Sequence, residues 1–269
     1  MESNDMNSSI STRTIIASVP LQFTVGTIFD KIPLHYKIPG FDCEIVTCYF
    51  REKKKGELSH KKSKTLRSSF RNVVNLILRT GDRYINLKLS THGNLQITGA
   101  KDKNKVYHAV SYLLFTVHQT CPEIVVEWKD KIEIVFRTVM TNMVFSVDYL
   151  IDKKKLNNVI QTSTNFYNLV ETSFGYTGMN IKIPVENELQ STQASKCIEI
   201  DFLTQQHQLL DKIVSLHFKK NQKFNTFLVF HSGKVLMSGI DEQTMMNDFH
   251  LFQNFLQIQK KNIEEKIIV

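Results

Sequence analysis

The chain has 269 residues, 42% of them hydrophobic, with 18 Phe and only 5 Pro: enough apolar material for one large or two small domains, in a composition that excludes a disordered protein. Its formal charge of +8 and pI near 9.2 favour a polyanionic partner. Cys43, Cys48, Cys121 and Cys197 show neither CxxC spacing nor a histidine at metal-ligand distance, so buried thiols are expected, and no apolar run approaches the roughly 18 residues of a membrane span.

Residues 1–12 are polar, rich in Ser and Asn, and without an apolar signal core; they read as a disordered tail. Thr14 to Phe23 is a β-branched strand, and Val25, Ile28, Phe29 and Ile32 then fall at helical spacing before Pro33. Cys43 to Phe50 is a second strand. Arg51 to Ser69 is a loop with eight Lys and Arg against Glu52 and Glu57, most of the net charge of the chain. It is either a solvated surface loop or an electrostatic contact for a polyanion. Strands follow at Asn72–Arg79, Tyr84–Leu89 and Leu95–Thr98, turned by Gly81-Asp82 and Thr91-His92-Gly93. Asp102 can cap a helix to about Gln119 whose apolar stripe is Val106, Val110, Leu113 and Val117.

A second pass repeats the first. Ile132 to Val147 is a strand region, Leu150 to Ile160 a short helix, and Phe166-Tyr167-Asn168-Leu169-Val170 echoes Phe70-Arg71-Asn72-Val73-Val74. Strands at Met179–Pro184, Phe224–Phe230 and Val235–Ser238 precede a closing helix from Asp241 to about Lys261, with Met245, Phe249, Phe252 and Leu256 inward. The clearest mark of duplication is the hairpin His92-Gly93-Asn94-Leu95-Gln96-Ile97-Thr98-Gly99, which returns as Ser232-Gly233-Lys234-Val235-Leu236-Met237-Ser238-Gly239. The expected organisation is a first repeat over 13–121, carrying the basic loop 51–69, and a second over 130–263. The second is interrupted by an insertion at 186–223, with a candidate strand at 198–203 and a candidate helix at 205–216.

This order of elements resembles the TATA-box-binding proteins. Thr14-Ile15-Ile16-Ala17-Ser18-Val19 is similar to the family's opening strand, Phe227-Leu228-Val229-Phe230-His231-Ser232-Gly233-Lys234 to the start of its last hairpin, and Thr98-Gly99-Ala100-Lys101 to its Thr-Gly-Ala-Lys. The resemblance spans nearly all of the chain outside the tail, the lysine loop and the insertion, and the drifted motifs are closer to the versions encoded by large DNA viruses. It implies an α+β saddle: two pseudo-symmetric repeats joined into one curved antiparallel sheet with helices on the convex face.

The resemblance further implies that the concave face enters the minor groove of A·T-rich double-stranded promoter DNA and bends it. The convex helices would recruit a factor-IIB-like protein and RNA polymerase, with the protein a monomer on DNA. It would then work in a nucleus or a viral factory, or travel in the virion. Leu228, Phe230, Leu236 and Ser238 share one parity of their strands and form the second copy's DNA face. Phe230 and Phe174 occupy wedge positions and Phe70 is the candidate in the first copy, although core packing is the other use of any Phe. The matching position before the first turn holds Ser90, preceded by Lys88, with no aromatic.

Thr14 and Thr138 stand for the family's central Asn residues, and Ile16, Ser18, Met140, Asn142, Gln96 and Thr98 complete the floor. Arg79, Lys234, Lys88 and Lys101 would meet phosphates, while Asn94, Asn180 and Asp241 stand where the family carries cations. No catalytic motif or carboxylate pair suggests an enzyme, and no cofactor or metal is implied. The competing reading is a scaffold that kept the fold, lost DNA reading and acts through protein partners.

Overall fold

The computed structural model describes residues 8–57, 72–81, 83–170, 178–185, 194–215 and 222–265. They form two compact units, one of Arg13–Val139 with Ala194–Ser215, the other of Met140–Gln193 and Leu216–Val269 with Met1–Thr12. The first copy runs β1 (Ser9–Ser18), α1 (Val25–Lys31), β2 (Cys43–Phe50), β3 (Lys53–Lys55), β4 (Val73–Thr80), β5 (Arg83–Ser90), β6 (Asn94–Ala100) and α2 (Lys103–Thr120). The second runs β7 (Lys131–Ser146), α3 (Lys153–Ser163), β8 (Tyr167–Val170) and β9 (Gly178–Pro184), then the inserted β10 (Ala194–Asp201) and β11 (Gln206–Ser215), then β12 (Phe224–Phe230), β13 (Lys234–Gly239) and α4 (Glu242–Ile258), followed by the short α5 (Lys260–Ile263).

Strand order establishes the duplication. The first copy pairs as β2-β4-β5-β6-β1 and the second as β8-β9-β12-β13-β7, antiparallel throughout, so each copy reads strand, helix, four strands, helix in the same topology. The architecture is α+β. Each opening strand is locked to its hairpin by the same bonds: Val19 N–H donates to Gly93 O and Val147 N–H to Gly233 O, both at 3.0 Å. Phe23 and Ile151 N–H donate to Thr91 and His231 O, both at 2.9 Å. That closeness explains the repeated glycine. Gly93 and Gly233 have φ of +76° and +80°, and a Cβ there would stand 2.1 Å from Val19 O and 2.6 Å from Tyr149 O.

Alternation along the strands makes two faces. In β4, Val74, Leu76 and Leu78 are buried while Val73, Asn75, Ile77 and Arg79 point the other way; in β12, Phe227 and Val229 are buried and Phe224, Thr226, Leu228 and Phe230 are not. The buried sets pack on helices whose N-termini are capped as expected, Asp102 accepting from Asn104 N–H and Asp241 from Thr244 N–H. All four cysteines are buried free thiols, and burial pushes Cys48 up to about 12 and Cys43 to about 11.

Several expectations need correction. The strand expected from Thr14 begins at Ser9, so part of the presumed tail is β1; Met1 to Asn7 lie outside the described residues. Lys53–Lys55 of the presumed lysine loop form β3 on β2, and residues 58–69 lie outside the description. The echo between Phe166–Val170 and Phe70–Val74 does not reflect equivalence, because the former is β8, counterpart of β2, and the latter leads into β4, counterpart of β9. The helix expected at 205–216 is strand β11. Asp201 accepts from Leu203 and Thr204 N–H, Gln205 takes φ of +56°, and this turn folds β11 back on β10 with Leu210 opposite Cys197.

The insertion also changes one helix. Although it interrupts the second copy in sequence, its hairpin belongs to the first unit, with β10 pairing along Lys131–Phe136 of β7. α2 lies on β2, β4 and β6 on one side. On the other its Tyr107 ring meets Phe136 at 4.8 Å, Phe115 meets Phe202 at 5.9 Å and His108 meets His207 at 4.7 Å. Every residue from Ala109 to Val117 is buried, so the four-residue stripe read from sequence understates a helix enclosed on both sides.

Candidate nucleic-acid interface

The faces turned away from the helices are built by the odd-even alternation just described, and the duplication lets them be compared residue by residue. In the second unit, Leu228 of β12 lies between Asn180 of β9 and Leu236 of β13, which in turn faces Val144 of β7. One pleat on, Phe230 faces Gly178; one pleat back, Thr226 lies between Lys182 and Ser238, and Ser238 faces Asn142. A Cβ on Gly178 would come within 2.6 Å of Leu228 Cδ1 and 3.4 Å of Phe230 Cε1, so the bare glycine backbone is where both side chains lie. Phe230 is partly exposed on this open face rather than packed under α4.

In the first unit, Lys88 lies between Asn75 and Gln96, and Gln96 faces Ile16; Asn86 lies between Ile77 and Thr98, and Thr98 faces Thr14; Ser18 faces Asn94. The hairpins superpose in register, each turn closed by a bond from the glycine N–H to the residue three before it, Gly93 to Ser90 O and Gly233 to Phe230 O. Ser90 is therefore the counterpart of Phe230, and its Oγ accepts from Asn94 N–H at 3.1 Å, closing the turn. Lys88 corresponds to Leu228 and Gln96 to Leu236.

The same register corrects one assignment. Thr14 faces Thr98, and the residue facing Ser238, the counterpart of Thr98, is Asn142, so Asn142 and not Thr138 is the second copy's equivalent of Thr14. The sequence frame was misplaced because β7 changes phase along its length: Ile132, Ile134 and Phe136 are buried in its first half, Thr141, Met143 and Phe145 in its second. Thr138 and Met140 fall at that change, half-buried and 39% exposed, beyond the end of the β13 pairing. The floor residues that the sequence reading missed are Val144 and Ser146. A signal was present: Ser18-Val19 recurs as Ser146-Val147 in the same place relative to each turn.

Asn142 is held from two directions. Ser238 Oγ donates to its Oδ1 at 2.7 Å and Ser11 Oγ donates to its carbonyl oxygen at 3.2 Å. With Oδ1 engaged, the amide group offers N–H donors, the polarity that matches minor-groove acceptors. Asn75, Asn86 and Asn180 also sit on the open faces, each with a buried Oδ1 that lacks a hydrogen-bond partner.

Charge on these faces is mostly positive. Among the described residues, the open faces of β1, β4, β5, β6, β9, β12, β13 and Met140–Ser146 of β7 hold no Asp or Glu. On β2, Glu44 lies directly across from Arg79 on the first unit's open face, 4% exposed and held by Arg79, by Lys37 at 3.2 Å and by His35 at 3.1 Å. Burial pushes that carboxyl up, but the bonds from His35 and Lys37 and the charges of Lys37 and Arg79 prevail and hold it below its usual range. Arg79, expected on phosphate, is thus committed to Glu44. Lys234 is exposed beside the second turn, Lys88 lies half-buried in the floor, and Lys101 sits half-buried between β6 and α2. Phe70 and Phe174 lie outside the described residues.

No family model matches the chain. It is 26% identical over 238 residues to the uncharacterized protein 335L of Invertebrate iridescent virus 6, an alignment that covers 83% of this chain and 70% of that protein. Among solved structures it is similar to the Methanococcus jannaschii TBP, with a TM-score of 0.44 and 11% identity over 93% of this chain and 98% of that one.

Proposed function

We propose that this protein is a transcription initiation factor that binds the minor groove of A·T-rich double-stranded promoter DNA through its open sheet faces and bends it. The observation that carries the reading is that, among the described residues, the strand segments of those faces hold a single carboxylate, Glu44, neutralised by Arg79, Lys37 and His35, in a chain with 26 Asp and Glu, combined with an apolar, hydroxyl and amide lining. An exposed apolar surface whose carboxylate is neutralised by adjacent cations suits a groove floor that is apolar and acceptor-rich. Leu228, Leu236 and Val144 would lie on the floor, Asn142 would donate to base acceptors, and Phe230 would unstack a base step at one end. Unstacking costs a few kcal/mol per step, offset by contact along the bent duplex. Lys234 and Lys88 would meet phosphates.

Recruitment of a factor-IIB-like protein and polymerase would fall to the second copy. The outer side of α2 is covered by Phe136, Phe202 and His207, whereas α4 keeps Leu251 50% exposed and Ile258 77% exposed. A scaffold that has lost DNA reading is favoured by two observations, the commitment of Arg79 to Glu44 and Ser90 in place of an aromatic. Titration of fluorescently labelled A·T-rich and G·C-rich duplexes separates the readings. Salt-sensitive binding that prefers A·T and weakens in Phe230→Ala is expected; no binding at low salt without a protein partner would leave the scaffold.

A further inference from the structure

Tyr167 stands at the outer edge of the second unit's open face. It belongs to the four-residue β8, the last strand of the order, and faces Lys182 of β9. Its neighbour Phe166 turns to the helix side, meeting Phe255 at 5.9 Å, so Tyr167 takes the open side and is 61% exposed. There its ring meets Phe224 edge-on at 5.7 Å, and the Lys182 ammonium lies 5.9 Å from the Phe224 centroid. A half-exposed aromatic on a short edge strand adds little to core burial, and an edge strand that only had to stay solvated would carry a charge there. In the first copy the counterpart of Phe224 is Tyr84, 46% exposed, but the places of Lys182 and Tyr167 hold Ile77 and the buried Thr47, so the cluster belongs to the second copy alone.

We propose that Tyr167, Phe224 and Lys182 form a stacking platform for an unpaired base, so that this end of the face holds single-stranded DNA next to the duplex site. The inference rests on the nucleic-acid reading above and adds a second class of ligand to it. A duplex hides the π-faces of its bases, whereas an unpaired base offers one to an exposed ring, and an adjacent ammonium meets the phosphate that follows. Among the described residues β8, β9, β12 and β13 carry no Asp or Glu, which supplies the charge complementarity for a strand of DNA and argues against a basic protein partner.

The test is fluorescence anisotropy of the full chain with a labelled single-stranded A/T oligonucleotide of about 12 nucleotides, within the usual site size, and with the duplex of the same sequence. Tyr167→Ala is expected to weaken single-strand binding about tenfold, the usual effect of losing one base–aromatic stack, while leaving duplex affinity unchanged. Tyr167→Phe should bind like the wild type, and circular dichroism should be the same for all three proteins. The platform is overturned if the wild type does not bind the single strand at low salt, if Tyr167→Ala binds it normally, or if that variant loses duplex and single strand equally. Duplex binding without single-strand binding would sink the platform alone. Tyr167-dependent single-strand binding without duplex binding would sink the promoter reading alone.

Discussion

The two hairpins share a turn, a register and a pair of backbone locks, yet present different chemistry. Around Gly233 the open face carries Phe230, Leu228 and Leu236; around Gly93 the same three places carry Ser90, Lys88 and Gln96. On the helix side the copies diverge in the opposite sense: α2 is enclosed by the inserted β10–β11 layer, while α4 is buried on one side only. The first copy has thus invested its apolar surface internally and the second has left it outward. A duplicated fold constrains backbone and core, and leaves each outward position free to follow its own use.

The largest effect should come from the shared core. Phe227 and Leu87 occupy equivalent fully buried positions, so Phe227→Ala should cost about 3–5 kcal/mol and Leu87→Ala about 2–5 kcal/mol in urea unfolding. If either change were neutral, the equivalence of the two cores would fail. Next comes Gly178→Ala, whose Cβ would press on Leu228 Cδ1 at 2.6 Å. It should lower affinity for an A·T duplex several-fold by displacing Leu228 and Phe230, with a stability loss of about 1 kcal/mol. Unchanged DNA affinity would remove that corner of the face from the interface.

The smallest effect is one of pH, and it separates the helix layers. Burial depresses His118, and burial together with the neighbouring His108 depresses His207; both lie in the α2–hairpin layer of the first unit. A folded-state pKa below the unfolded value gives stability that is present above about pH 6.5 and is lost as pH falls through the folded values. Denaturant midpoints should therefore fall as pH drops below about 6.5, and His207→Phe should flatten that fall. A midpoint independent of pH in the wild type would mean the enclosed layer is not the sensitive one.

Much of the fold was legible because it was written twice. Turn glycines, alternating strands and Asp caps recur at Gly93 and Gly233 and at Asp102 and Asp241, and each copy supports the reading of the other. The insertion had no second copy, and Leu209, Leu210, Ile213 and Val214 fit a helix as well as a strand until the Asp201 turn decides. The face was legible where one strand kept its phase, as in β12, and was misread in β7, where burial passes from even to odd positions near Thr138. Ion pairs between residues far apart in sequence, such as Arg79 with Glu44, leave no local signature at all.

The central claim is a one-ended grip, and local unstacking tests it most directly. An A·T-rich duplex carrying 2-aminopurine at one end of the site or the other would be titrated with the wild type, Phe230→Ala and Ser90→Ala. The account predicts a fluorescence rise at one end that is abolished by Phe230→Ala and untouched by Ser90→Ala. A rise that persists in Phe230→Ala, or binding with no rise at either end, would contradict it.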